Sequence, residues 1–288
     1  MTMRLGYVTN GFAGHRLDDA LVILAETGYR AVSITLDVHH LDPTRTSPRE
    51  LGALRRRLTS LDLAATIETG ARFLLDPRRR HHPGMLGEEC ERRVRFIERA
   101  MEVASEIGAS VVTFASGSAP AGESEEDSFR HLAERCRGLS ERARSLGCYA
   151  SFEPEPGFFV ETLDQFDRLR AEVDHPSFGL TLDVGHAHLL ESRSPGECVE
   201  AFADVLRHVH LEDMRRPDHV HLAIGEGDVD FEAVCSSLAR SGFGGVAALE
   251  LSRDSHRAPE AAREGIERLA PLLPPGASHF FPGAGKKN

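Results

Sequence analysis

Cysteine is scarce. The 288-residue chain has five, Cys90, Cys136, Cys148, Cys198 and Cys235, scattered and nowhere spaced as CxxC, which argues against a disulfide framework or a zinc ribbon. Also missing is any run near the roughly 20 apolar residues that a membrane span requires, and the opening MTMRLGYVTNGF has no basic segment leading into an apolar stretch of the secretory kind. The expected setting is therefore the cytoplasm, without a membrane partner. Basic residues are in deficit, with 34 Lys+Arg against 45 Asp+Glu and a formal charge of −11. Such a chain lacks the global positive field that phosphate-backbone binding exploits, so nucleic acid is a disfavoured partner, with RRRHH (Arg78 to His82) a local exception. No GxGxxG follows the first strand-like run, and no low-complexity segment interrupts the chain.

What is present is a regular alternation of strand-like and helix-like segments. RLGYVT (Arg4 to Thr9) precedes LDDALVILAETG (Leu17 to Gly28), whose acidic first turn and final glycine are start and stop signals. The pattern repeats with strands at Ala31 to Leu36, Leu63 to Glu68, Ser110 to Ala115 and Cys148 to Glu153, followed by helices over about 47–61, 87–108, 125–146 and 162–173. It ends with strands at Phe178 to Asp183, His208 to Glu212 and Val246 to Leu251, followed by helices over about 195–206, 231–241 and 259–272. Eight βα units in a chain of this length point to a single-domain α/β protein, a closed (β/α)8 TIM barrel over residues 1–273, rather than an open doubly wound sheet. Residues 274–288, PPGASHFFPGAGKKN, carry no helical period and are expected to be a flexible tail.

Four strings place an acid or imidazole where an apolar run gives way to loop: FEPEPG with Glu153 and Glu155, LTLDVGHAH with Asp183 and His186, HVHLED with His210, and ALELS with Glu250. In a parallel barrel the carboxyl ends of the strands converge on one mouth, so Glu153, Asp183, His210 and Glu250, from four consecutive strands, can reach a common ion. An acid at one strand end is often only a helix cap; four in succession are hard to produce by chance. Three carboxylates and one imidazole suit Mn²⁺ or Mg²⁺, with Co²⁺, Fe²⁺ or Zn²⁺ as further candidates.

As a set, FEPEPG, LTLDVGH, HVHLED with HLAIGEGDVDF, and LELS resemble the xylose isomerase-like barrel superfamily over the chain up to about residue 273. Within it the chain is most similar to the sugar phosphate isomerases and epimerases, with the apurinic endonucleases more distant. The resemblance implies a divalent metal held by Glu153, Asp183, His210 and Glu250, with Glu153 and Glu250 also acting as the acid/base pair. It implies that His186 contacts substrate or a second metal, and that Arg216 contacts substrate. His219 and His221 before GEG resemble an endonuclease loop bearing further zinc ligands. The endonucleases also draw histidines from strands three and four, where this chain has Glu68 and Ala115-Ser116.

Beside that resemblance, Glu68 and Arg72 lie past strand three, at the head of a long loop of the kind that forms lids or binding loops, and Arg72 can grip a carboxylate or phosphate. Gly225 and Gly227 read as a tight turn, with Asp228 or Asp230 capping the next helix. The leading expectation is a metal-dependent isomerase or epimerase acting on a sugar, cyclitol or related hydroxy-carbonyl compound through an enediolate. A multinuclear hydrolase of phosphate esters or a lyase is the alternative, and a non-catalytic barrel a third. The expected partner is a small sugar-like molecule, and a homo-oligomer is open.

Overall fold

The computed structural model describes residues 2–273. Eight parallel strands, β1 (Arg4–Val8), β2 (Ala31–Thr35), β3 (Ala64–Glu68), β4 (Val111–Phe114), β5 (Tyr149–Phe152), β6 (Phe178–Asp183), β7 (Leu206–Leu211) and β10 (Val246–Leu249), close in the order β1-β10-β7-β6-β5-β4-β3-β2. An antiparallel hairpin, β8 (Asp213–Arg215) with β9 (Asp218–Leu222), follows β7 outside the barrel. The helices are α1 (Leu17–Thr27), α2 (Pro48–Ser60), α3 (Cys90–Ile107), α4 (Glu125–Leu146), α5 (Leu163–Val173), α6 (Val184–Leu190), α7 (Pro195–Ala201), α8 (Phe231–Arg240) and α9 (Ala258–Leu269). The expected barrel is therefore the observed one; the expected tail lies outside the described residues.

Local chemistry sets the helix starts. Ser47 with Glu50, Thr162 with Gln165 and Ser194 with Glu197 form reciprocal capping boxes at α2, α5 and α7, each satisfying backbone N–H groups that the helix leaves open. Three features depart from expectation. The helix expected to reach Leu206 stops at Ala201, and β7 begins at Leu206. The chain there runs close over β6: a Cβ on Gly179 would meet Arg207 Cγ at 2.3 Å and Val205 O at 2.9 Å. The short α6 and the β8–β9 hairpin were not expected either, because each is too brief to develop a sequence period.

The strand period of two sorts the barrel into layers. Val32, Ile34, Ile67, Val112, Phe114, Ala150 and Phe152 belong to the apolar core shared with the helices. The alternate residues face inward. Ala31, Val246 and Ala248 with Val8 form a separate small apolar cluster. Next comes a polar layer in which Thr66 Oγ1 donates to Ser33 Oγ (2.7 Å), Ser33 Oγ meets His208 Nε2 (3.1 Å) and Thr181 Oγ1 meets Thr113 Oγ1 (3.1 Å) and Ser151 Oγ (2.7 Å). Strands β2 and β7 are not neighbours, so the Ser33–His208 contact crosses the interior. One step further along each strand lie Thr35, Glu68, Glu153, Asp183, His210 and Glu250. Polar groups thus fill the interior immediately beneath the mouth.

Candidate metal centre

Glu153 and Glu250 follow the last residues of β5 and β10, and their N–H groups continue the ladder to Phe114 O (2.9 Å) and Leu211 O (3.1 Å). Asp183 ends β6, opposite His210 of β7 in the register. A register shift at Leu180/Thr181 precedes them, setting His208 beside Thr181 and His210 beside Asp183. Ligand atoms of Glu153, Asp183, His210 and Glu250 all lie within 4.8 Å of one another. His210 Nδ1 stands 2.9 Å from Glu153 Oε1, 3.1 Å from Glu250 Oε2 and 3.8 Å from Asp183 Oδ2, while its Nε2 is 3.2 Å from Glu68 Oε1. One ring nitrogen thus faces three carboxylates and the other a fourth.

Asp183 has two jobs. Its Oδ1 accepts from the N–H groups of Gly185 (2.7 Å) and His186 (2.9 Å), starting α6 directly at the strand end and carrying His186 into the mouth. Its Oδ2 is buried without a hydrogen-bond partner among the described residues, which is costly for a carboxylate unless a cation completes it. Asn10, beyond β1, donates from Nδ2 to Glu250 Oε1 at 2.6 Å.

The hairpin folds back so that His219 Nε2 lies 3.1 Å from His186 Nε2, and His221 Nδ1 lies against Glu212 Oε2. Glu212 is fully buried, with His186 Nε2 3.7 Å from its Oε1, and neither of its oxygens has a hydrogen-bond partner among the described residues. Asp183–His186–Glu212, Glu212–His221–Glu250 and Glu155–His186–His219 are further sets with metal-ligand spacing. Sequence reasoning missed Glu212. Its signal was the inward period of β7: His208, His210 and Glu212 are spaced by two. The GEG turn is architectural. Asp213 accepts from the N–H groups of Gly225, Gly227, Met214 and Val229 at 2.8–3.0 Å, and a Cβ on Gly227 would meet its Oδ1 at 2.3 Å. Asp230, not Asp228, caps α8 through Ala233 N.

Burial raises the carboxyl groups here, and local charge decides which stay raised. For Glu153, burial and the neighbouring Glu250 and Glu68 outweigh His210 and push the carboxyl up to about 7. Burial, then Glu153, Glu250 and Asp183, raise Glu155 strongly; burial with Asp183 and Glu250 does the same to Glu212. Burial also acts on Asp183, but the charges of His186 and His210 and the hydrogen bond from His186 N–H bring it below its ordinary value. Burial opposes protonation of His210, yet Glu153, Glu68 and Glu250 drive its pKa well up. His219 is lowered to about 4 by burial and by His186 and His221.

Of the substrate-contact candidates, Glu68, Arg72 and His186 line the cavity above this cluster, as do Asn10, Arg80 and His81. Arg216 does not: its guanidinium donates to His188 O (2.6 Å) and Glu191 O (3.2 Å), closing the carboxyl end of α6.

Fold and site together define a parallel barrel whose carboxyl-terminal mouth holds clustered carboxylates and imidazoles. The family model "Xylose isomerase-like TIM barrel" matches residues 21–272, and the chain belongs to that family. It is 25% identical over 283 residues to an uncharacterised protein of Methanocaldococcus jannaschii, covering 93% of this chain and 90% of that one. It is also 25% identical over 150 residues to an inosose dehydratase of Lacticaseibacillus casei, a match spanning 46% of this chain and half of that enzyme. Solved structures of an L-ribulose 3-epimerase (TM-score 0.78, 17% identity, 94% of each chain) and of a Methylomonas D-allulose 3-epimerase in complex with D-allulose (TM-score 0.75, 18% identity, 94% and 98%) share the fold. No helix among the described residues is long and apolar enough to cross a membrane.

Proposed function

We propose that the protein is a divalent-metal-dependent isomerase or epimerase of a hydroxy-carbonyl compound, with Glu153, Asp183, His210 and Glu250 as ligands. The carrying observation is their convergence, with ligand atoms within 4.8 Å of one another and Asp183 Oδ2 buried without a partner. The donor set fits an ion: His210 can offer Nδ1 while Nε2–H donates to Glu68, the outer-shell arrangement that orients a ligating imidazole. The oxygen-rich set favours Mn²⁺ or Mg²⁺, with Co²⁺, Fe²⁺ and Zn²⁺ as the other candidates. The chemistry such an ion supplies when bound is polarisation of a carbonyl and its adjacent hydroxyl.

The protein groups do the proton work. Glu250, held by Asn10, and Glu153, on a strand three places away around the barrel wall, can remove and return a proton at the carbon beside the carbonyl. Burial keeps Glu153 able to hold a proton near neutral pH. The epimerase structures and the inosose dehydratase relatives support a sugar or cyclitol substrate. The test is deuterium uptake from D₂O into a panel of ketoses and inososes. Glu250→Gln, which keeps shape and removes the base, is expected to slow uptake by about 10²- to 10⁴-fold when measured at metal concentrations that saturate the variant. Turnover of an identified substrate with no exchange at that carbon would overturn the reading.

One observation favours a second reading, a multinuclear hydrolase of phosphate esters or a lyase: Glu212 sits unsatisfied between His186 and His221. Two or more tightly bound ions per chain, reduced to one in His221→Ala together with loss of activity, would select it.

A further inference from the structure

The cavity is also lined by residues that the metal cluster does not use. Its loop between β3 and α3 places Arg72, Arg80 and His81 on the lining. Neither the Arg72 nor the Arg80 side chain has a hydrogen bond or a carboxylate within 4.0 Å among the described residues. Arg79, between them in sequence, is neutralised by Asp76 at 2.7 Å. The loop is braced from below by Arg93, which is 6% exposed. Its guanidinium donates to Pro83 O (2.7 Å), Thr69 O (2.8 Å) and His81 O (3.0 Å), a buried cation spent wholly on backbone. The loop closes on itself where His81 N–H donates to Arg72 O (2.7 Å) and His81 Nδ1 donates to Gly70 O (2.8 Å). Burial lowers the His81 pKa, and the charges of Arg80, Arg93 and Arg72 lower it further.

We propose that this loop is an oxyanion subsite, so that the substrate carries a phosphate monoester or carboxylate at the end remote from the carboxylate–histidine cluster. An ion on that cluster would match acids there, leaving the loop as the cationic part of the cavity. Guanidinium groups bind both oxyanions in the same forked geometry, and a loop pinned by Arg93 gives up little freedom when they engage. The inference rests on the cavity being the substrate pocket of the proposed isomerase.

Mn²⁺-loaded protein would be titrated calorimetrically with D-fructose, D-fructose 6-phosphate and 5-keto-D-gluconate, for the wild type and for Arg72→Gln and Arg80→Gln. At least one charged probe is expected to bind about tenfold or more tightly than fructose, and which one does so separates phosphate from carboxylate. The preference is expected to fall to within about threefold in Arg72→Gln, with Mn²⁺ stoichiometry at the wild-type value as the control for folding. Fructose binding as tightly as both charged probes, no saturable binding of either charged probe, or a preference that survives both substitutions would overturn the subsite. Failure of the isomerase reading appears separately, as absent deuterium exchange, and leaves the affinity ratios readable.

Discussion

Glu68 at the end of β3 and Glu212 just past β7 are both buried carboxylates under the same mouth, yet their surroundings differ. Glu68 Oε1 has His208 Nε2 at 3.3 Å and His210 Nε2 at 3.2 Å. Burial alone would raise its carboxyl, but the charge of His210 and the hydrogen bonds from both rings hold it well below the usual carboxylate range. Glu212 touches His221 and neighbours His186 without a hydrogen bond, and burial drives its carboxyl well up. The protein alone completes one site and leaves the other short of positive charge. A buried carboxylate that its own fold does not satisfy marks where a cation or proton belongs.

The largest test of that contrast is Glu68→Gln against Glu212→Gln in metal-free protein, read by denaturant unfolding. Glu68→Gln weakens the hydrogen bonds from both imidazoles while Glu153 and Glu250 still face His210, and is expected to cost about 1–3 kcal/mol. Glu212→Gln removes an uncompensated acid and is expected to be neutral or to stabilise by about 1 kcal/mol. Equal losses would break the comparison. With metal added, the same Glu212→Gln variant distinguishes one ion from several: unchanged stoichiometry fits the four-ligand centre alone, and loss of an ion assigns Glu212 to a second.

A smaller effect concerns pH. The folded-state value of Glu153, about 7, lies above its ordinary 4.5, so its contribution to stability is fully present below 4.5 and is lost as pH rises through about 7. The melting temperature of metal-free wild type relative to metal-free Glu153→Gln should therefore fall by a few degrees between pH 5 and pH 8; the difference cancels His40, His81, His186, His208 and His219, whose lowered pKa values act in the opposite sense across the same interval. Glu68 and Asp183, shifted downward, act in the opposite sense but below this interval. Ions compete with protons for the ligands, so added Mn²⁺ should raise the melting temperature more at pH 8 than at pH 5. A difference between wild type and Glu153→Gln that stays constant or grows across the interval would contradict the burial of Glu153.

The barrel was legible because every strand is an apolar run ended by polar residues, and the period of two already aligns Glu153, Asp183, His210 and Glu250 on the inner face. Glu212 shares that period and ends the expected strand His208 to Glu212, but in sequence it is one strand-end acid beside Asp213; only the hairpin folding back reveals its place between two imidazoles. Arg216 failed to reach the cavity for a local reason: the carbonyl groups ending α6, a helix of seven residues with no period to announce it, take its guanidinium. Arg93 sits inside an ordinary helical pattern, and its buried contacts to the β3–α3 loop depend on long-range packing that no motif carries.

The most direct measurement is calorimetric titration of Mn²⁺ into metal-free wild type and Asp183→Asn, with thermal melting alongside. The account predicts saturable binding of at least one ion per chain and a higher melting temperature in the wild type. In Asp183→Asn, which keeps the Oδ1 acceptor at the start of α6 and replaces the unpartnered oxygen, affinity should fall about 100-fold. No saturable binding and no thermal shift with Mn²⁺, Co²⁺ or Zn²⁺, or equal affinity in the two proteins, would contradict it.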